Sequence, residues 1–283
     1  MKGRRLALGL ATLLGIRRRG FFIPYRYADQ IPEAGRLPPY PALAARLAAG
    51  APAMAEVLDW IDGYAADLDV IGSAAARTPP PAPRWDQDWF PRLDAAVAYT
   101  LVRRLKPSRI VEIGSGHSSR FLARAITDAG LATRHTAIDP APRAVLQGLA
   151  LELMRCTLQD AGLAPFEALE PGDFLVVDSS HILMPGSDVD VLLGRILPLL
   201  PAGVVVHFHD IFLPDDYPAD WAWRGYNEQN AILPLLLTHE VLFASHFALG
   251  NLAAAERSAL RGLALPPGAR ESSIWMRLRE APS

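Results

Sequence analysis

From residue 109 onward, short runs of apolar and β-branched residues alternate with stretches whose apolar residues recur at helical spacing, and few folds accept that alternation. Strands are expected over Arg109–Ile113, His135–Ile138, Leu151–Leu158, Phe174–Val177 and Val204–Phe208. Helices are expected between them over Ser118–Thr127, Ala144–Leu149, Phe166–Leu169 and Val189–Leu200, after a leading helix at Leu93–Leu105 that ends at Pro107. Wholly apolar runs such as Phe174–Val177 suit strands buried on both faces, as a parallel sheet covered by helices requires. Val241–Phe247 and Ser273–Leu278 add two strands around a helical segment at Leu252–Leu263. The expected fold is α/β, a doubly wound seven-stranded sheet whose last strand returns antiparallel as an edge.

The run Thr78-Pro-Pro-Pro-Ala-Pro83 holds extended dihedrals and marks a boundary. Residues 84–283 form the sheet domain; residues 1–83 hold a basic and apolar segment, a helical preface (Leu43–Leu47, Met54–Leu68) and the linker. At the N-terminus, Lys2, Arg4 and Arg5 precede the apolar stretch Leu6–Ile16, and Arg17, Arg18 and Arg19 follow it. A helix of that length reaches ~16 Å against a hydrocarbon core of ~30 Å, so it cannot span a membrane, and no small-x-small cleavage site follows. It either lies in a membrane interface or docks on the protein's own surface; apolar residues all round the segment favour docking. A cytoplasmic location is expected, with residues 1–19 as the place for any membrane contact.

With 283 residues, 51% hydrophobic and 20% charged, the chain can bury one substantial core. The formal charge is −2 and no basic stripe continues past residue 19, so small-molecule chemistry is favoured over nucleic-acid binding. Cys156 is the only cysteine, which excludes an intramolecular disulfide and a zinc finger; it is expected as a small hydrophobe in a strand.

In Arg109-Ile-Val-Glu-Ile-Gly-Ser-Gly-His-Ser-Ser119 a strand runs into a glycine turn and then a helix whose unpaired N–H groups can meet a ligand. Asp139 follows at the next strand end, where a carboxylate can accept ribose hydroxyls. Glu112 sits inside an apolar strand and needs partners there, either backbone N–H groups or a ligand cation. Asp178 and the pair His209–Asp210 close two apolar runs; ligands of open α/β sheets bind outside such strand ends, so these residues describe one site. His207 shares a sheet face with His209 and is either a site member or a core histidine bonded to a backbone carbonyl. His181 either has a functional role or is a solvated loop histidine. The aromatic, acidic stretch from Phe212 to Tyr226 either closes over a substrate or packs Trp221 and Trp223 on the preface, and Trp85 and Trp89 carry the same ambiguity.

Through Val111-Glu-Ile-Gly-Ser-Gly116, Asp139 and Asp173-Phe-Leu-Val-Val-Asp178, the region Leu93–Leu278 resembles the class I S-adenosylmethionine-dependent methyltransferases, whose sheet is Rossmann-like with an antiparallel final hairpin. Asp178-Ser-Ser-His181, His207-Phe-His-Asp-Ile211 and Tyr226-Asn-Glu-Gln229 resemble an uncharacterised bacterial subgroup of that family. The resemblance implies S-adenosylmethionine as cofactor, with Glu112, Gly114, Ser115 and Gly116 shaping its methionine end, Asp139 holding the ribose, and Asp160 or Gln159 the adenine amino group. Related metal-assisted O-methyltransferases carry acidic or amide ligands at the positions of Asp178, His209 and Asp210. These three are therefore candidate ligands of a divalent metal, with the histidine shifting preference away from magnesium. Without a metal, His209 is the candidate base and Asp178 its catalytic partner. The expected acceptor is an oxygen nucleophile on a small molecule or glycan.

Two rival classes stay open. An NAD-dependent oxidoreductase or epimerase is disfavoured by Ser119 in place of the third fingerprint glycine and by the lack of a Tyr-x-x-x-Lys pair. A non-catalytic binding module tethered by the N-terminal segment is the other.

Overall fold

The computed structural model describes residues 2–72 and 79–280; Thr78, which opens the expected linker, lies outside them. Seven strands form one sheet: β1 (Arg109–Ile113), β2 (Arg134–Ile138), β3 (Glu152–Met154), β4 (Phe174–Val177), β5 (Val205–Phe208), β6 (Glu240–Ala244) and β7 (Ile274–Arg277). Their spatial order is β3-β2-β1-β4-β5-β7-β6, with β1 to β5 parallel and β7 antiparallel to both its neighbours. This is the expected Rossmann-like, doubly wound sheet, and its order reverses between β1 and β4.

The antiparallel strand is the last in the chain, yet it is not the edge. Ile274, Trp275 and Met276 of β7 are buried, which suits a strand covered on both faces, whereas Glu240 and Leu242 of β6 are half-exposed, as an edge permits.

The helices before the sheet are α1 (Lys2–Leu13), α2 (Pro41–Ala49), α3 (Ala51–Gly63) and α4 (Ala65–Val70), then α5 (Arg92–Leu105). After β1 come α6 (His117–Asp128), the short α7 (Ala164–Glu167), and α8 (Asp188–Val191), which continues in wider and tighter turns to Leu199. The sheet's far end carries α9 (Glu228–Thr238), α10 (Ser245–Asn251) and α11 (Ser258–Arg261). No helix forms over Ala144–Leu149, where Pro140 and Pro142 start a chain of turns, and the long third strand shrinks to β3. The strand expected to reach Phe247 stops at Ala244 and gives way to α10, so the helix expected over Leu252–Leu263 is reduced to short turns and α11. Helix α9 was not expected, because Pro234 lies within it. Cys156 lies just past β3, its amide bonded to the Met154 carbonyl, and packs against the core.

Leu43, Leu47, Met54, Leu58 and Ile61 of α2 and α3 enter the same core as Leu93, Val97 and Leu101 of α5 and Trp275 of β7. Helix α5 is held to the sheet at its first turn. The Arg92 guanidinium donates twice to Glu271, at 3.0 Å from each nitrogen, and the Leu93 amide donates to the same carboxylate at 2.6 Å. Both side chains are buried, so removing one leaves the other charged and unpaired. Glu271→Ala should therefore lose about 3–5 kcal/mol in urea unfolding; a loss below about 1 kcal/mol would show that water replaces the carboxylate.

Candidate active site

Four parallel strands end at one level. The first residue beyond each of β1, β2, β4 and β5 donates its amide to a neighbouring strand: Gly114 to Ile138 at 2.9 Å, Asp139 to Met154 at 3.1 Å, Asp178 to Ile113 at 2.9 Å and His209 to Val177 at 3.0 Å. This extension of the ladder sets Gly114, Asp139, Asp178 and His209 in a row along the sheet's carboxyl edge. All four line one cavity of about 1250 Å³, together with Ser115, Gly116, His181 and Asp210. It lies at the switch point between β1 and β4, where open α/β sheets hold ligands.

Gly114 has φ +82°, and a Cβ there would overlap the carbonyl oxygen of Asp178. Only glycine lets β1 turn this close to the end of β4. The next residue, Ser115, donates its hydroxyl to Asp139 at 2.7 Å, and the Ala141 amide donates to the other oxygen of that carboxylate at 2.8 Å. The Gly116 amide donates to Ser119 Oγ at 3.0 Å and opens α6.

Glu112 is fully buried and lies behind the cavity rather than on its wall. It accepts hydrogen bonds from the hydroxyls of Ser118 at 2.5 Å and Ser119 at 2.6 Å, and His135 Nε2 lies 3.2 Å away. Its partners are thus two hydroxyls and an imidazole, in place of the backbone N–H groups or ligand cation expected, and its effect is to pin the start of α6. Asp160 also stands off the wall, bonded to the Thr157 hydroxyl at 2.7 Å, while Leu158 and Gln159 line the cavity.

Beyond β4 and β5 the structure assembles more ionisable groups than were expected. His181 is buried, not solvated, and has φ +60°. Its Nδ1 meets Glu228 at 2.8 Å, while Nε2 lies 3.3 Å from Asp178 and 3.5 Å from Asp210. His209 Nδ1 lies 3.7 Å from Asp178 and 3.5 Å from Asp210, and its Nε2 faces Asp94 at 3.4 Å. Asp210, at φ +57°, turns into this cluster. Asp94 and Glu228 were not anticipated. Asp94 stands alone in the apolar first turns of α5, where it accepts the amides of Ser272 and Ser273, each at 2.9 Å. Glu228 starts α9, whose existence the proline hid.

On Asp94, Asp178, His181 and His209 burial opposes charge, and mutual attraction overrides it. The Asp178 carboxyl is pushed up by burial but held well below its ordinary range by His181 and His209. His181 is raised well above its ordinary value by Asp178, Glu228 and Asp210 despite burial, and His209 likewise by Asp210, Asp178 and Asp94. Asp94, also desolvated, is lowered chiefly by His209. His207 is different: burial, with the charge on His209, pushes it down to about 3. Its Nε2 pairs with the Ser273 hydroxyl at 2.9 Å, and its ring stacks near His209 and against Trp275. It is a neutral core histidine, bonded to a hydroxyl instead of a carbonyl. Among the described residues, no three His, Cys, Asp or Glu side chains converge as a metal-holding group.

The aromatic residues divide. Trp221, Trp223 and Tyr226 line the cavity, with the Arg224 guanidinium 3.9 Å over the Trp221 ring, so the loop from Phe212 to Tyr226 walls the site. Trp89 lines it too, beneath Arg143. Trp85 is buried against Phe121 and donates to the Leu68 carbonyl at 3.2 Å, a packing role.

Residues 111–211, from β1 to just past β5, match a family model described as methyltransferase domain. No protein of established function matches by sequence. Distant similarity extends to solved structures. The S-adenosylhomocysteine-bound methyltransferase PaMTH1 of Podospora anserina is 17% identical, over 92% of this chain and 100% of that one, with a TM-score of 0.42. Cofactor-bound Rv0187 from MTB is 18% identical over 81% and 91%, TM-score 0.43. The plantazolicin methyltransferase BpumL is 14% identical over 80% and 99%, TM-score 0.41.

The Gly114 contact is open to a direct test. Gly114→Ala adds a left-handed backbone cost of about 1–2 kcal/mol to the overlap with Asp178, so its denaturant midpoint should fall by more than that cost alone. Stability equal to the parent would show that β1 and β4 can separate here freely.

Proposed function

We propose that the protein is an S-adenosylmethionine-dependent methyltransferase that methylates an oxygen of a small molecule or glycan, with residues 84–283 as the catalytic unit. The observation that carries this is the shared cavity. The Gly114–Gly116 turn and Asp139 lie on one side of the switch point, and the cluster of Asp178, His181, His209 and Asp210 lies on the other. A cofactor on the first side and an acceptor on the second would face each other, and alignment of this kind supplies much of the rate. The Gly114 and Gly116 amides are already bonded, so the turn suits the methionine end through the close approach its glycines permit; Asp139 suits the ribose, and Gln159, which lines the cavity, the adenine edge in preference to Asp160.

The acceptor oxygen attacks the sulfonium methyl in line. The new O–CH₃ bond forms as the S–CH₃ bond breaks, S-adenosylhomocysteine leaves, and the hydroxyl proton must be taken up. Asp178 is the more open member of the cluster, with 35% of its side chain exposed, and suits a hydrogen bond from the acceptor hydroxyl. His209 stands behind it to receive the proton. The histidine's raised value sets the sign: the base is the neutral imidazole, so activity should rise with pH through an apparent value above 6.5 that belongs jointly to the two histidines.

A divalent cation is the second version; the donor types suit one, although as they stand the side chains do not converge as a metal-holding group and would have to close around the ion. Asp178 and Asp210 supply oxygen, His181 and His209 supply nitrogen, and the outer nitrogen of His181 is bonded to the buried Glu228 carboxylate, as in oriented metal-ligating histidines. A cation held there would acidify the acceptor hydroxyl. The NAD alternative is weakened further, because Ser119 is committed to Glu112.

Methyl transfer from labelled S-adenosylmethionine into a metabolite extract tests the reading. Asp178→Asn and His209→Ala should each lower the rate at least about 100-fold while S-adenosylhomocysteine binding persists. In the metal-free version the acid limb disappears from His209→Ala and a chelator has no effect; in the metal version the chelator abolishes turnover and elemental analysis finds the ion only in the parent. Full activity of both variants would contradict the assignment of the cluster.

A further inference from the structure

The N-terminal segment has no part in the site, and its chemistry is unlike the rest of the chain. Its first 26 residues hold seven Lys and Arg and no Asp or Glu, in a chain whose formal charge is −2. Four of the five leucines of α1 and the turn after it, Leu6, Leu10, Leu13 and Leu14, recur at the spacing that builds one helical face, with Leu8 off it. These four and Ile16 are 48–75% exposed. Docking on the protein's own surface, the favoured expectation, is therefore not what the structure shows. After Arg17, Arg18 and Arg19 the pattern repeats in Phe21, Phe22 and Ile23, 46–67% exposed, with the Arg18 guanidinium 5.0 Å over the Phe21 ring.

A contiguous apolar surface left in water marks a contact site. We propose that residues 2–27 dock on an anionic lipid bilayer. In this arrangement α1 lies in the plane of the interface with its leucine face among the acyl chains, and Arg17, Arg18, Arg19 and Arg26 sit at the level of the phosphates. Charge complementarity selects this partner: a segment wholly free of acidic residues is attracted to a surface of uniform negative charge, and arginines beside aromatic rings suit headgroup depth. Among the described residues no helix is long and apolar enough to cross a membrane, so the contact is in-plane. Residues from Thr12 to Ile23 border a hollow that includes Met184, which lies in the loop carrying His181, so the docked face is beside the active-site loop. The proposal goes beyond the catalytic reading and does not depend on it.

Co-sedimentation of the full-length protein with vesicles tests it. Binding to phosphatidylcholine–phosphatidylserine vesicles should exceed binding to pure phosphatidylcholine at least about tenfold and fall steeply with salt. Combining Arg17→Glu, Arg18→Glu and Arg19→Glu should cost at least about tenfold. Combining Leu10→Ser with Phe22→Ser, both exposed, should weaken binding at low salt, with thermal midpoints of both variants matching the parent. Equal binding to both vesicle types, or binding indifferent to the arginine changes, would overturn the proposal. So would concentration-dependent self-association by light scattering that the same substitutions abolish while vesicles capture nothing, which would assign the face to a second copy.

Discussion

The register of the parallel strands is the constraint on which the rest depends. Because β1, β2, β4 and β5 pair so that Gly114, Asp139, Asp178 and His209 all come one residue past the end, their amides close the ladder while all four residues line one cavity. A slip of one residue in any strand would send its terminal side chain to the opposite face. Packing on both faces holds that register: every residue of β4 and β5 is buried, His207 included, so a slip would force both faces to repack. Gly114 then permits an approach between β1 and β4 that no other residue allows.

The second requirement is electrostatic. Asp94, Asp178, Asp210 and Glu228 surround His181 and His209 at distances of 2.8–3.7 Å. Desolvating so many carboxyl groups is costly, and the cost is offset only because each faces an imidazole, a backbone amide or the cavity. Two of the four come from helices, α5 and α9, which enter the sheet layer by their N-terminal turns, where negative charge is favoured. The arrangement makes the cluster a coupled unit, so the titration of one histidine shifts with the state of the other. It also separates His207 from its neighbour: one β5 histidine is held neutral in the core, while the next on the same face carries raised basicity.

Much of this was legible in the residues. β1 and β4 were readable from end to end because their apolar runs, broken in β1 only by Glu112, are closed by a glycine turn and by Asp178. The position of Asp178 and His209–Asp210 followed from that. What could not be read depends on long-range contact. Asp94 lies more than 100 residues before His209 in an apolar helix; a lone acid there announces a buried partner without naming it. His181 looked solvated because its nearest neighbours in sequence are serines, and only the packing of α9 encloses it. Pro234 concealed that helix, and with it Glu228. Glu112 was recognised as needing partners, but the serines that supply them belong to the helix just after it, and nothing in their spacing points them back at the strand.

The central claim is that the turn at Gly114–Gly116 and the carboxylate of Asp139 form an S-adenosylmethionine site, and calorimetry tests it most directly. S-adenosylhomocysteine should bind the parent at micromolar concentration, NAD should not bind measurably, and Asp139→Ala should weaken S-adenosylhomocysteine at least about tenfold through loss of hydrogen bonds to a charged group. NAD binding without S-adenosylhomocysteine binding, or equal affinity in a folded Asp139→Ala variant, would contradict the account.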